Sequence, residues 1–316
     1  MNGLMAHRAE PLPARRLGIV RPARINLGRD FGLGYALLSP ALVYMLALVG
    51  YPFVLALWFS LSNSSISGDE AHFVGLRNYI GLMGDSVFRS SLKNSLMFVF
   101  VAEIFKTLLG IGLAFVLLRN LPAKKVIRGF LMLPWTIPVS LSLLGWKWMF
   151  DPQFSVINYT GAHLGILHSP LPDWLGQTQY AIAAILTVNI WRGFPFAAVV
   201  ILAGLTSIPQ EIFDTCKIDG AGPLTRWHYV ITPIIAPILF IGLIFDVVFT
   251  LGDLTIVYLL TNGGPINTTD ILPTLSFREG VNGGDLGLGS ATALFLFPFL
   301  FVAVFVFLRM LRRREI

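Results

Sequence analysis

Apolar residues fill this chain in six long blocks, at about 33–61, 95–118, 130–150, 180–205, 234–260 and 290–308, with shorter polar stretches between them. A helix needs roughly 20 apolar residues to cross the hydrocarbon layer, and each block approaches or exceeds that length. The pattern predicts an all-α polytopic membrane protein with six transmembrane helices. Pro40 and Pro52 fall in the first block, and Pro195, Pro237 and Pro298 in the fourth, fifth and sixth. Those helices are expected to be bent and held by packed neighbours.

Composition strengthens this picture. The chain has 316 residues, 55% hydrophobic and only 13% charged, too little charge for the surface of a soluble domain of this size. Its 25 Phe and 7 Trp suit lipid-facing walls and interfacial belts. The single cysteine, Cys216, excludes an internal disulfide and a cysteine metal cage. His163 and His168 have no partners at ligand spacing, so no metal site is expected.

The net charge of +6 would suit nucleic acid, but the placement of the bases gives it another meaning. Residues 1–30 carry six arginines in a Pro- and Gly-rich context, which reads as a basic tail ahead of one membrane domain, 31–316. The tail, the second and fourth loops and the C-terminal end together hold 16 Lys and Arg; the first, third and fifth loops hold 4. That asymmetry predicts that both termini and the second and fourth loops are cytoplasmic. It leaves no role for nucleic acid. The third loop, 151–179, has two His, two Asp, three Pro and Trp174, enough for ordered structure, and the glycine-rich fifth loop, 261–289, should fold back tightly.

The fourth loop, 207–233, reads SIPQEIFDTCKIDGAGPLTRWHYVITP and carries Glu211, Asp214 and Asp219 with Lys217 and Arg226. Bare charge and unpaired backbone are costly in hydrocarbon, so this stretch belongs in water or against a partner. Ser207-x-x-Gln210 has the form of a capping box, which predicts a short helix over 208–218. Gly220 can turn the chain at positive φ, and Pro223 can start a second short helix that runs through Trp227 and Tyr229 and ends near Thr232-Pro233. The expected product is a projecting helix–turn–helix with its acids and aromatics exposed. Interfacial helices are usually basic, and this one is not, which favours docking to a protein over resting on lipid.

Polar groups inside the apolar blocks are few. Asp246, Phe249, Thr250 and Asp253 share one face of the fifth block, and Asn189, Arg192, Gly193 and Phe196 repeat the spacing on the fourth. Carboxylates, an amide, a hydroxyl, a guanidinium and aromatic faces together match a neutral polyol. The plain alternative is a structural salt bridge between helices, Arg192 with Asp246 or Asp253. Glu103 and Lys106, three apart in the second block, should pair with each other or a neighbour, and Lys147 should snorkel to the outer surface.

The fourth loop also resembles the EAA loop of the membrane subunits of bacterial ATP-binding-cassette importers. Asp214-Thr215-Cys216 occupy the Glu-Ala-Ala positions, Asp219-Gly220-Ala221 match directly, Trp227 takes the aromatic place and Pro233 the terminal proline. Asp for Glu and Thr-Cys for Ala-Ala are departures in the eponymous triplet. Leu133-Pro134-Trp135-Thr136-Ile137-Pro138, Asn189-Ile190-Trp191-Arg192-Gly193-Phe194-Pro195-Phe196, Thr261-Asn262-Gly263-Gly264-Pro265 and Asp285-Leu286-Gly287 are similar to the MalF-like carbohydrate-uptake family.

The resemblance implies a type I ABC importer permease fold in the cell (inner or plasma) membrane of a bacterium or archaeon. It implies that the loop, with Glu211 beside the matched residues, seats in an ATPase subunit. Counted from the motifs, Gly193, Phe196, Asp246, Phe249, Thr250 and Asp253 fall on family pocket positions for a di- or oligosaccharide. The chain has no Gly-x-x-x-x-Gly-Lys-Ser/Thr loop, so ATP and Mg are expected in partners, with no cofactor in this chain and no enzymatic activity of its own. Expected partners are two ATPase subunits, a second permease, an extracytoplasmic solute-binding protein and the lipid bilayer. Glycerol 3-phosphate or a phosphodiester is the alternative cargo. A secondary carrier driven by ions is a remoter alternative.

Overall fold

The computed structural model describes residues 27–68, 70–119 and 122–312; the first 26 residues of the basic tail, and Arg313 and Arg314 at the other end, lie outside them. The chain divides into two units, residues 1–53 and 54–316. The first unit's described part is α1 (Leu27–Met45), with Pro40 inside it, followed by a π-helical turn (Leu46–Gly50) and the start of α2 (Tyr51–Ser60).

The second unit contains, in order, α3 (Arg77–Gly84), α4 (Ser86–Leu118), α5 (Lys124–Thr136), α6 (Val139–Met149), α7 (Val156–His163), α8 (Thr178–Thr206), α9 (Gln210–Ile218), α10 (Pro223–Arg226), α11 (Thr232–Leu251), α12 (Leu254–Leu260), α13 (Leu272–Phe277), α14 (Leu286–Leu294) and α15 (Phe297–Arg312). Among the described residues, four helices are long and apolar enough to cross a membrane: Gly34–Ser60, Ser86–Leu118, Thr178–Thr206 and Pro223–Leu251. The regular elements are helical, as expected, but against the six spans expected these are four, or five if the bent α5–α6 pair counts as one, and two of the apolar blocks are not continuous.

The third block is an elbow. α5 and α6 meet at 88°, because Pro138 has no N–H to continue the helix and forces Ile137 into extended backbone (ψ 134°). The fifth block stops at Leu251, and Gly252-Asp253 separates it from α12. The reason is Asp253 itself: its Oδ1 accepts from the backbone N–H of Thr255 (3.1 Å) and Ile256 (3.3 Å), which caps a new helix instead of extending the old one. Asp253 therefore does not continue the face of Asp246 and Thr250. Near the C-terminal end, Leu286–Val302 is apolar but shorter than a full crossing.

Three apolar clusters hold α4, α8 and α11 together. One joins Ala114, Ile201, Leu205, Ile208, Ile231 and Ile235 beside the 207–233 loop. The other two lie toward the opposite end, around Phe98, Ile185, Val188 and Ile256, and around Phe88, Leu251, Leu272 and Leu275. Lipid tails are as apolar as leucine, so association here rests on close packing rather than escape from water. Ala102, Ala114 and Ala198, all fully buried, let the helix backbones approach. Between the clusters the packing gives way to polar side chains.

The connecting stretches are structured. In 151–179 the Trp174 indole donates to Asn158 Oδ1 (2.7 Å), and the Asn158 amide donates to the Pro172 carbonyl (2.9 Å). Asn94 donates to the carbonyls of Thr268 (2.9 Å) and Asp270 (3.0 Å), which ties α4 to the 261–289 stretch. There the buried Asp270 pairs with Arg278 and accepts from Thr274; burial pushes its carboxyl above the usual value, and Arg278 opposes the rise. The stretch does fold back tightly, as its glycines suggested.

Candidate functional site

A polar cavity of about 420 Å³ lies among α4, α8, α11 and the α5–α6 elbow, lined by Lys106, Trp135, Val139, Asn189, Arg192, Gly193, Asp246, Phe249, Thr250, Gly252, Asp253, Leu254 and Thr255. Seven of the eight residues anticipated for a substrate path meet there: Asn189, Arg192, Gly193, Asp246, Phe249, Thr250 and Asp253. The eighth, Phe196, stands outside it. Its ring stacks on Trp135 (4.8 Å between centroids) and leans on Phe245 (5.7 Å), and it lines an adjacent, mainly apolar cavity of about 220 Å³.

Two charge clusters furnish the cavity. In the first, the Lys106 ammonium donates to Glu103 Oε1 (3.1 Å), Asp246 Oδ1 (3.3 Å) and Thr250 Oγ (2.7 Å). Thr250 in turn donates to Glu103 Oε1 (3.0 Å), closing a ring between α4 and α11. An ammonium has three donors, and all three are used. The Lys106 side chain is 2% exposed, so each bond is made away from water. Gly193 makes the geometry possible: a Cβ there would stand 2.5 Å from Lys106 Cε and 2.7 Å from Cδ.

The second cluster is looser. Arg192 Nη1 lies 3.8 Å from Asp253 Oδ2, and its guanidinium sits over the Trp135 ring at 5.8 Å. Of the two salt bridges considered from sequence, the structure makes Arg192 with Asp253 and gives Asp246 to Lys106 instead. In two residues that line the cavity, a buried polar atom has no hydrogen bond among the described residues: Asn189 Oδ1 and Arg192 Nε. Desolvated groups of that kind are costly unless something pairs with them. Counting the charged groups of both clusters, two cations face three carboxylates.

Lys106 and Trp135 were not singled out for the cavity from sequence. Lys106 shows only its local partner there, because Asp246 and Thr250 lie about 140 residues further on. Trp135 sits in the Leu-Pro-Trp-Thr-Ile-Pro segment whose second proline makes the elbow, which was the available signal.

The 207–233 stretch holds two helical arms around a turn at Gly220, as expected, with two corrections. Ser207 is no N-cap: it ends α8, and its hydroxyl donates to the Gly204 carbonyl (2.7 Å). The following helix starts at Gln210 after Pro209, whose missing N–H suits a helix entry. Nor does the second short helix end at Pro233. α10 passes through a π-helical turn (Trp227–Ile231) directly into α11, so 223–251 is one helical run.

Between the two arms the turn is well determined. Gly220 has φ +69°; its N–H bonds the Lys217 carbonyl (3.2 Å) and the Ala221 N–H bonds the Cys216 carbonyl (3.0 Å). That pair of bonds is a Schellman ending, which needs the left-handed residue glycine supplies. Arg226 Nη2 adds a bond to the Ala221 carbonyl (3.2 Å).

Glu211, Asp214, Thr215 and Asp219 are exposed, and Lys217 bonds Asp214 (2.7 Å), which with Gln210 holds that carboxyl below its ordinary value. Cys216 is buried. Trp227 turns inward, against Phe115 (5.3 Å) and the Ile208–Ile231–Ile235 cluster, so only Tyr229 of the two aromatics is exposed. Ile218 and Leu224, 86% and 83% exposed, flank the turn with apolar surface.

Residues 106–315 match the family described as the binding-protein-dependent transport system inner membrane component. The chain belongs to that family. It is a transport subunit rather than an enzyme, and one of several membrane-spanning helices, with the function of an ABC importer permease. This permease is 33% identical to the trehalose/maltose transport system permease protein MalF of Thermococcus litoralis, over 83% of this chain and 88% of that one. It is 32% identical to the sulfoquinovosyl glycerol transport system permease protein SmoG of Agrobacterium fabrum, over 84% and 86%. Among solved structures, a bacterial ABC transporter involved in the import of alginate shares the fold at a TM-score of 0.76 and 21% identity, covering 91% of this chain and 97% of that one.

Proposed function

We propose that this permease imports a neutral di- or oligosaccharide, with the polar cavity as its site on the way through the membrane. The observation that carries the reading is the lining of that cavity, where the side chains of Asn189, Arg192, Asp246, Thr250 and Asp253 stand beside Trp135 and Phe249. An amide, a guanidinium, two carboxylates and a hydroxyl can donate to and accept from sugar hydroxyls, and the rings offer stacking faces. Asn189, Arg192, Gly193, Asp246, Phe249, Thr250 and Asp253 form the contact set, with Phe196 supporting Trp135 from behind.

Three carboxylates against two cations disfavour a phosphate. Glycerol 3-phosphate remains the second reading, because the Arg192 guanidinium lines the cavity and because the sn-glycerol-3-phosphate permease UgpA of Pectobacterium atrosepticum is 28% identical over 83% of this chain.

The rest of the assembly follows from the loop and the charge asymmetry. Six spans with both ends cytoplasmic place 207–233 where an ATPase can grip it, and Glu211, Asp214, Thr215, Asp219, Gly220 and Ala221 form the gripped surface. Cys216, Trp227 and Pro233 anchor it to the bundle. Two ATPase subunits supply ATP and Mg, a second related permease completes the path, and a solute-binding protein delivers the cargo from outside the inner or plasma membrane. The test is uptake into proteoliposomes that hold the whole complex. ATP-dependent accumulation of trehalose but not glycerol 3-phosphate is expected. Uptake driven by an ion gradient without nucleotide would overturn the reading.

A further inference from the structure

We infer that Lys106 is a positioning residue of the cavity: it holds Asp246 and Thr250 in the orientation that presents them to the cargo, and Gly193 exists to let it through. The inference rests on the sugar-site reading above and adds a residue from a third helix to it.

The argument starts from reach. Lys106 belongs to α4, whereas the carboxylate and hydroxyl it binds belong to α11. To get there its methylenes cross α8 at Gly193, where any β-carbon would stand within 2.5–2.7 Å of the chain. Three helices are thus threaded by one side chain. Asp246 uses Oδ1 on the ammonium, and its other oxygen makes no hydrogen bond among the described residues. Thr250 uses its proton on Glu103 and one lone pair on Lys106, which leaves its second lone pair. Asp246 and Thr250 both line the cavity. Lys106 therefore consumes one face of each group and fixes the other toward the space a sugar would fill, so that acceptors are ready for hydroxyl donors without rearrangement.

Glu103 has a different part. It does not line the polar cavity; it orients Thr250 and balances the ammonium. A side chain that served only to stabilise the bundle would need none of this polarity, since an apolar residue of similar volume would pack at least as well.

The experiment uses the whole transporter in proteoliposomes, with the neutral disaccharide that the wild type imports from a panel containing trehalose and maltose. Lys106→Met alone leaves two carboxylates facing each other, so the decisive variant is Glu103→Gln with Lys106→Met, which removes one charge of each sign. It is expected to assemble, yet to carry about tenfold less sugar per ATP hydrolysed, the effect of losing a charge-assisted bond that aligns a contact. Adding Asp246→Asn to that pair should cost little more, because the acid is already adrift. Sugar carried per ATP at the wild-type ratio in Glu103→Gln/Lys106→Met, while Asp246→Asn alone lowers it, overturns this inference and leaves the sugar site standing. A wild type that imports no member of the panel, or one indifferent to Asp246→Asn, overturns the sugar site and this inference with it.

Discussion

Two lysines in this permease bond to an acid three residues earlier, and the pairs have opposite settings. Lys217 reaches Asp214 at 2.7 Å on the outside of α9, with both side chains more than half exposed. Lys106 reaches Glu103 at 3.1 Å inside the helix bundle, with side chains 2% and 9% exposed. The shorter bond is the less consequential one. In water, ordering two long side chains offsets most of the attraction; in the interior, a charge that loses its partner has no water to turn to. Spacing in the sequence is the same, and surroundings decide what the spacing is worth.

The comparison can be broken most severely at Lys106. Lys106→Ala should cost about 3–5 kcal/mol, the range for removing one partner of a buried pair, and should be read as a steep fall in folded protein recovered from membranes. Normal recovery with an unshifted thermal melt would show that water reaches Glu103 and Asp246.

Next comes Gly220→Arg, at the turn beside the surface pair. A residue with a β-carbon at φ +69° is strained by roughly 1–2 kcal/mol, too little to unfold a bundle held by three apolar clusters, while the long side chain projects from the proposed ATPase-facing surface. Membrane insertion should be normal and uptake abolished; surviving uptake would remove 207–233 from the coupling role.

Lys217→Ala should change uptake by less than about twofold, as exposed pairs generally do. A tenfold loss would mean that Lys217 touches a partner directly.

The smallest effect concerns acid. Lys217 and Gln210 hold the Asp214 carboxyl below its ordinary value of 3.8, so its contribution to α9 is present at neutral pH and is lost only as pH falls through that lowered value. Hydrogen-exchange protection across 210–218 in the intact complex, taken relative to the intrinsic rate at each pH, should be unchanged from pH 7 to pH 5. A loss of protection already near pH 5 would show that the pair does not form.

Much of this arrangement is legible in the chain itself, because a membrane leaves little freedom. Long apolar blocks gave the helices, and the i, i+3, i+4 rows on the fourth and fifth blocks assembled most of the cavity. What failed to show had local causes. Pro138 and Asp253 break helices that hydropathy alone reads straight through, since hydropathy is blind to a missing N–H and to a carboxylate that prefers to cap. Ser207 fits a capping pattern but lies one helix too early; its hydroxyl finds the Gly204 carbonyl first. Trp227 looks like a docking aromatic until the Phe115 ring and the isoleucine cluster claim it. The partners of Lys106 were out of reach for a simpler reason, their distance along the chain.

The continuous run from Pro223 to Leu251 has a mechanical meaning. From Trp227 to Thr250 it measures about 35 Å at 1.5 Å per residue, with the loop at one end and the Lys106 ring at the other. Pro237 lies inside it, yet the helix runs on past that residue, and the π-helical turn widens the coil but keeps it wound. Such a rod is a lever. Tilting it by about 5° about its loop end would sweep the far end through about 3 Å by that same length, the span of one hydrogen bond, so a push too slight to reshape the loop is enough to open or remake a bond at the cavity.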